Sequence, residues 1–171
     1  MFLLTLLFYW VCFSLYFTLF HDAPFVPLKK SDVEKLVTLF AYPPNAIVYD
    51  LGSGNASNLI ALTRRCGTRG VGIEKSSFLC FLSRWRIRRA GMDSQIRIHW
   101  GNFMKTDIHD ANYVVCYLFP EIMQKLKQKF LRELRSGSII ISFSFPMRDL
   151  QLLRVEESPE TKKKIFIYQI T

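Results

Sequence analysis

The chain alternates between two hydrophobic periods, after an opening that has none. Residues 1–20 read MFLLTLLFYWVCFSLYFTLF, without a single charged side chain. At ~1.5 Å per residue such a helix reaches ~30 Å, the thickness of a bilayer core. There is no basic start, and bulky Phe17, Leu19 and Phe20 stand where a cleaved secretory signal has small residues. The pattern predicts a retained transmembrane helix over 1–20. Residues 21–30, with Pro24 and Pro27, read as an extended linker. Ser31 followed by Glu34 forms a capping box for a helix carrying Val33, Leu36, Val37 and Phe40 on one stripe.

From there strands and helices alternate. Strands are expected over 46–51, 70–74, 95–100, 112–119 and 138–145. Helices are expected over about 57–65, 76–90 and 121–134. Two further runs, about 150–155 and 164–170, flank the polar turn EESPET and read as a hairpin. Strand–helix alternation calls for a parallel sheet covered by helices on both faces. The expected fold is therefore α/β, a Rossmann-like, doubly wound, mostly parallel sheet over 31–171 that closes with an antiparallel C-terminal hairpin, preceded by the membrane helix.

Charge changes the picture in one respect. Against 14 Asp+Glu stand 23 Lys+Arg, a formal net charge of +9, which points to an anionic partner surface, lipid or nucleic acid. With Lys29 and Lys30 following the apolar segment, the positive-inside rule places the domain on the cytoplasmic side of a membrane, or the equivalent side in an organelle. Arg84, Arg86, Arg88 and Arg89 cluster on one predicted helix, where they form a solvated face or a contact for lipid or substrate. The four cysteines, Cys12, Cys66, Cys80 and Cys116, show no CxxC spacing, and His21, His99 and His109 form no cluster with them. No metal site and no disulfide framework is expected.

The chemistry concentrates in IVYDLGSGNASN, residues 47–58. A strand ends at Asp50, Gly52 and Gly54 form the turn, and a helix begins. In an open α/β sheet this is where a ligand binds. Glu74, closing the second strand, can accept both hydroxyls of a ribose. Two features disfavour a dinucleotide. Ser57 replaces the third glycine of the fingerprint, and Asp50 would face a pyrophosphate. A carboxylate there suits a cationic ligand such as S-adenosylmethionine.

The segment resembles motif I of the class I S-adenosylmethionine-dependent methyltransferases. More narrowly, residues 23–147 resemble a small group of membrane-associated protein-lysine methyltransferases that act on the ATP synthase c-subunit and the adenine nucleotide translocase. The likeness is carried by PFVPLKKSDVEKLV, VYDLGSG, VGIEKSSFLCFLSRWRIRRAG, YVVCYLFPEIMQKLKQKF and the strand before FPM. It implies that Asp50, Gly52 and Gly54 cradle the methionine end of the cofactor and that Glu74 takes the ribose. It also implies that Asn102 meets the adenine amino group, that Tyr117, Leu118, Phe119 and Pro120 line the methyl-transfer site, and that Pro24, Phe25 and Pro27 help close it. The chain departs from the group at Asn55, Ala56 and Ser57, where Asp-Gly-Arg is usual, and at Asn102, where an acid is usual.

Methyl transfer from a sulfonium needs orientation and a neutral acceptor rather than a metal or a histidine base. The leading expectation is a methyltransferase, bacterial or mitochondrial inner-membrane in location, acting on a lysine of a membrane protein. The alternatives are a lipid or small membrane-dissolved acceptor, RNA, and a non-catalytic binding domain of the same fold. Nucleic acid is disfavoured because the fourth strand ends CYLFP, not the Asn/Asp-Pro-Pro-aromatic signature of base-amine methylation.

Overall fold

The structure is a computed structural model. It describes residues 2–20 and 26–171, with the side chains of residue 2 and residues 14–20 left aside. Pro24 and Phe25 lie outside the described residues. In chain order the elements are α1 (Phe2–Phe20), α2 (Lys30–Thr38), β1 (Ile47–Leu51), α3 (Ser57–Cys66), β2 (Arg69–Glu74) and α4 (Ser77–Arg89). They continue with β3 (Ile96–Trp100), β4 (Tyr113–Cys116), α5 (Pro120–Glu133), β5 (Ile139–Phe143), β6 (Leu152–Glu157) and β7 (Lys164–Gln169).

Seven strands form one sheet in the order β3-β2-β1-β4-β5-β7-β6. The first five are parallel, β7 runs antiparallel to β5, and β6 antiparallel to β7. The expected α/β sheet with a closing antiparallel hairpin is what forms. The order reverses between β1 and β4, so the crevice of the sheet opens beside the end of β1.

Side chains alternate across the sheet and build two cores. Val48, Ile96, Ile98, Val115, Ile141 and Ile165 face α2, α3 and α4 through Leu36, Leu59, Leu62 and Ile87. Leu51, Ile73, Val114, Ile140 and Tyr168 face α5 through Met123, Leu126 and Phe130. Central strands buried on both faces read as continuous apolar runs, and this explains why YVVC and IIISF show no polar alternation.

Three expectations are corrected here. First, among the described residues no helix is long and apolar enough to cross a membrane. The opening segment is helical over Phe2–Phe20. It also lies against α4 rather than standing clear of the domain, with the Trp10 and Phe81 rings edge to face at 6.4 Å. Second, α2 begins one residue before Ser31 and does not use the expected capping box. Asp32 Oδ2 accepts from the Lys29 amide at 3.3 Å, Ser31 Oγ has no partner among the described residues, and Glu34 pairs with Arg65. Third, β4 stops at Cys116 and β5 at Phe143. The apolar residues beyond each, 117–119 and Phe145, leave the sheet and line the crevice.

Candidate functional site

The turn after β1 is drawn down onto β2. The amides of Gly52 and Ser53 both donate to the Ile73 carbonyl, at 2.9 and 3.2 Å. Gly52 sits at φ +77°, a backbone region that costs other residues roughly 1–2 kcal/mol. Gly72 in β2 makes the approach possible, since a Cβ there would fall 2.6 Å from Ser53 Oγ. Glu74 then locks the turn. Its Oε2 accepts from the Gly54 amide at 2.9 Å and its Oε1 from the Ser76 amide at 2.8 Å. Ser83 Oγ on α4 donates to the Gly54 carbonyl at 2.6 Å.

Beside this turn lies a cavity of about 500 Å³. Asp50, Gly52, Glu74, Asn102, Tyr117, Leu118, Phe119 and Pro27 all line it, so eight residues singled out in the sequence converge there. Gly54 stands behind the wall, bonded to Glu74. Pro120 opens α5 as its first residue and is not part of the lining. Asn102 Oδ1 accepts from the Met104 amide at 2.9 Å, which shapes the loop after β3. Asn55 Oδ1 does the same for Ser57 N at 3.2 Å, leading into α3.

The electrostatic centre is Asp50, only 3% exposed. Burial, reinforced by the negative charge of Glu74, pushes its carboxyl up to about 7 despite a hydrogen bond from Asn58. Asn58 Nδ2 donates to Asp50 Oδ2 at 3.0 Å. The other atom of that amide, Asn58 Oδ1, is buried with no partner among the described residues, as is Ser53 Oγ in the same lining. A buried acid of raised pKa next to an orphaned amide oxygen is an unfinished acceptor set, and a cation with N–H donors completes it. The α-ammonium of S-adenosylmethionine meets that description. Neither Asn58 nor Ser53 stands out in the sequence. A signal for Asn58 exists there, since the first turn of the helix after a glycine turn faces the end of its strand.

Much of the remaining wall is apolar, formed by Val26, Leu28, Phe103, Met104, Ile122 and Phe145, with Lys75 and Lys125 also in the lining. One face of it is held from behind. Lys163 Nζ lies 4.7 Å over the Tyr117 ring and 2.8 Å from Asp32 Oδ2. Asp32, fully buried, also accepts from Ser158 Oγ at 2.6 Å and from Thr161. The start of α2, the β6–β7 turn and the pocket wall thus meet at one carboxylate.

A family model described as the ANTKMT methyltransferase domain matches residues 50–154. The chain belongs to that family. Similar proteins include the adenine nucleotide translocase lysine N-methyltransferase of Mus musculus, 31% identical over 78% of this chain and 58% of that one. The lysine N-methyltransferase of the ATP synthase c-subunit, also of Mus musculus, is 31% identical over 72% of this chain and 49% of that one. This ANTKMT-family chain therefore spans about half the length of the curated relatives it matches. Among solved structures, an RNA methyltransferase from Salinibacter ruber in complex with S-adenosyl-L-homocysteine superposes with a TM-score of 0.80. It is 29% identical, over 85% of this chain and 94% of that one. The cofactor of the family fold is S-adenosylmethionine, and the acceptor set at Asp50 and Asn58 fits it.

Proposed function

We propose that this chain is an S-adenosylmethionine-dependent methyltransferase acting on a lysine of a membrane protein. The observation that carries the reading is the pair Asp50–Asn58, an acceptor site for an ammonium built into the switch point of the sheet. Asp50 and Asn58 hold the amino-acid end of the cofactor, and the Gly52–Ser53 turn gives its backbone room. Glu74 keeps a free lone pair on each oxygen for the ribose hydroxyls, while its amide bonds fix the carboxylate in place. Asn102, in the loop after β3 and in the cavity lining, takes the adenine edge. The cofactor supplies an electrophilic methyl on a sulfonium. The protein supplies orientation and exclusion of water.

The acceptor must be neutral to attack. Phe103, Phe119 and Phe145 offer a desolvated approach that favours the uncharged form of an entering lysine. Lys125, also at the cavity, acts in the same direction through like charge. For α1 we propose a membrane-contacting role, with Leu3, Leu4, Leu7, Phe8 and Phe13 all exposed. It would hold the domain at the surface of an inner membrane, where a membrane-protein lysine is presented.

The test is label transfer. Membranes lacking this protein are incubated with methyl-labelled S-adenosylmethionine and either the native chain or Asp50→Ala, then split into protein, lipid and RNA. The expected result is label in a small membrane-protein band, lost at least a hundredfold with Asp50→Ala. The likeness to the Salinibacter RNA methyltransferase motivates the second reading, RNA. Label confined to the RNA fraction would establish it at the expense of the first.

A further inference from the structure

Away from the pocket, at the other end of α3 and α4, lies a groove of about 310 Å³ lined by Ile60, Arg64, Trp85, Arg86, Arg89 and Ala90. Its three guanidiniums have no acidic partner among the described residues. The acids of the neighbouring segments are engaged elsewhere, Glu34 with Arg65 and Asp93 with Arg88. Arg89 stacks over the Trp85 ring at 5.0 Å, while Trp85 remains 49% exposed. The C-terminal dipoles of α3 and α4 offer roughly half a negative charge each, too little to neutralise three arginines.

The groove does not stand alone. Phe81, Trp85 and Arg89 follow one another at i, i+4 and i+8 on α4, forming a single stripe. Phe81 is 62% exposed and meets Trp10 of α1. One surface thus grades from the apolar side chains of α1, through an aromatic pair, to an indole, to guanidiniums. That is the order in which a bilayer presents acyl chains, the interfacial belt and phosphates. RNA would match the arginines but gives no reason for an exposed apolar helix beside them.

We infer that the Arg64–Arg86–Arg89 groove with Trp85 is a docking site for the headgroups of anionic phospholipids, which orients the domain on the membrane that α1 touches. It rests on the reading of α1 as a membrane contact but not on the methyl-transfer reading. Ser76 and Leu79, at the start of α4, belong to the pocket wall, and the groove lies towards its other end, about 15 Å along the helix axis. A membrane along α4 therefore keeps the pocket mouth within reach of a protein embedded in it.

The experiment is vesicle co-sedimentation of the full chain, with phosphatidylcholine vesicles compared with vesicles of phosphatidylcholine and phosphatidylglycerol. The apolar contact of α1 gives binding common to both, and the groove gives the difference. Arg86→Gln/Arg89→Gln is expected to lower binding to the anionic vesicles by roughly 10- to 30-fold. It should leave the zwitterionic binding and cofactor affinity unchanged. Arg132→Gln/Arg135→Gln, the same loss of charge on α5 and its following turn, should change the anionic binding less than threefold. Three results would each overturn the docking site: no anionic preference in the native chain, an equal loss from the control pair, or release of the chain from anionic vesicles by a single-stranded RNA oligonucleotide at micromolar concentration.

Discussion

Asp50 is a carboxyl group held where water barely reaches it, and this makes it both useful and costly. Its pKa, pushed up to about 7 by burial and by Glu74, means that the folded protein prefers the protonated form between about pH 4 and 7. The group's contribution to stability is most favourable below its unfolded pKa, declines as pH rises, and levels off above about 7. Asp50→Asn should therefore raise the stability of the ligand-free protein at pH 8, by something on the order of a few kcal/mol, and change it little at pH 4. Denaturant titrations at the two pH values decide it, and equal effects would refute the buried-charge account. Cofactor binding has the opposite demand, because an ammonium needs the carboxylate. Affinity for S-adenosylmethionine should fall towards tenfold per pH unit below pH 7, with a proton released on binding. Isothermal titration in two buffers of different ionisation enthalpy measures that proton. A residue that weakens the fold where it strengthens the ligand contact is what a binding position looks like energetically.

At the scale of elements, α3 begins in an unusual way. Its N-cap, Ala56, has φ 60° and is fully buried. A left-handed alanine costs roughly 1–2 kcal/mol, and its buried methyl returns only about 0.8 kcal/mol. Ala56→Gly should accordingly be neutral to about 1 kcal/mol stabilising, against the usual penalty for glycine, as thermal unfolding would show. Most elements are legible in the sequence because their periods and caps are local. Ser76 bonds the Leu79 amide at 3.4 Å as a helix cap, and Gly67 ends α3 at φ +68°. What is not legible is where an apolar run changes duty. Residues 113–116 pair in the sheet and 117–119 line the cavity, and hydrophobicity is the same for both tasks. The opening segment shows the same limit, since its sequence announces an apolar helix but not that α4 receives it. The glycines and acids of the site are readable from a strand–turn–helix pattern. Asn58 and Ser53 are harder to read, because their importance lies in one buried oxygen each, Oδ1 and Oγ, left unpaired among the described residues.

Across the molecule, the hairpin is bound to the rest by charge as well as by pairing. Lys35 meets Glu156 at 3.0 Å, Arg154 donates to the Leu39 carbonyl at 2.8 Å, and Asp32 gathers Ser158, Thr161 and Lys163. Burial raises the Asp32 carboxyl, but the bonds from Lys163, Ser158 and Thr161 outweigh it and hold the group below the usual carboxylate range. This stability is present above the unfolded pKa and is lost as pH falls through the folded one. Asp32→Ala should cost about 3 kcal/mol, and loosening Tyr117 through Lys163 should raise KM for the acceptor more than it alters cofactor affinity. No such link between residues so distant in sequence is visible before the fold is known. The strand order also has a history. β6 is synthesised before β7, yet β7 lies inside it, against β5. Until β7 is inserted, β6 has no partner and the outer edge of Ile139–Phe143, buried in the finished sheet, is open. The folding chain thus carries its stickiest strand edge uncovered until β7 docks between β5 and β6. Its yield on refolding should depend on what shields that edge until β7 arrives.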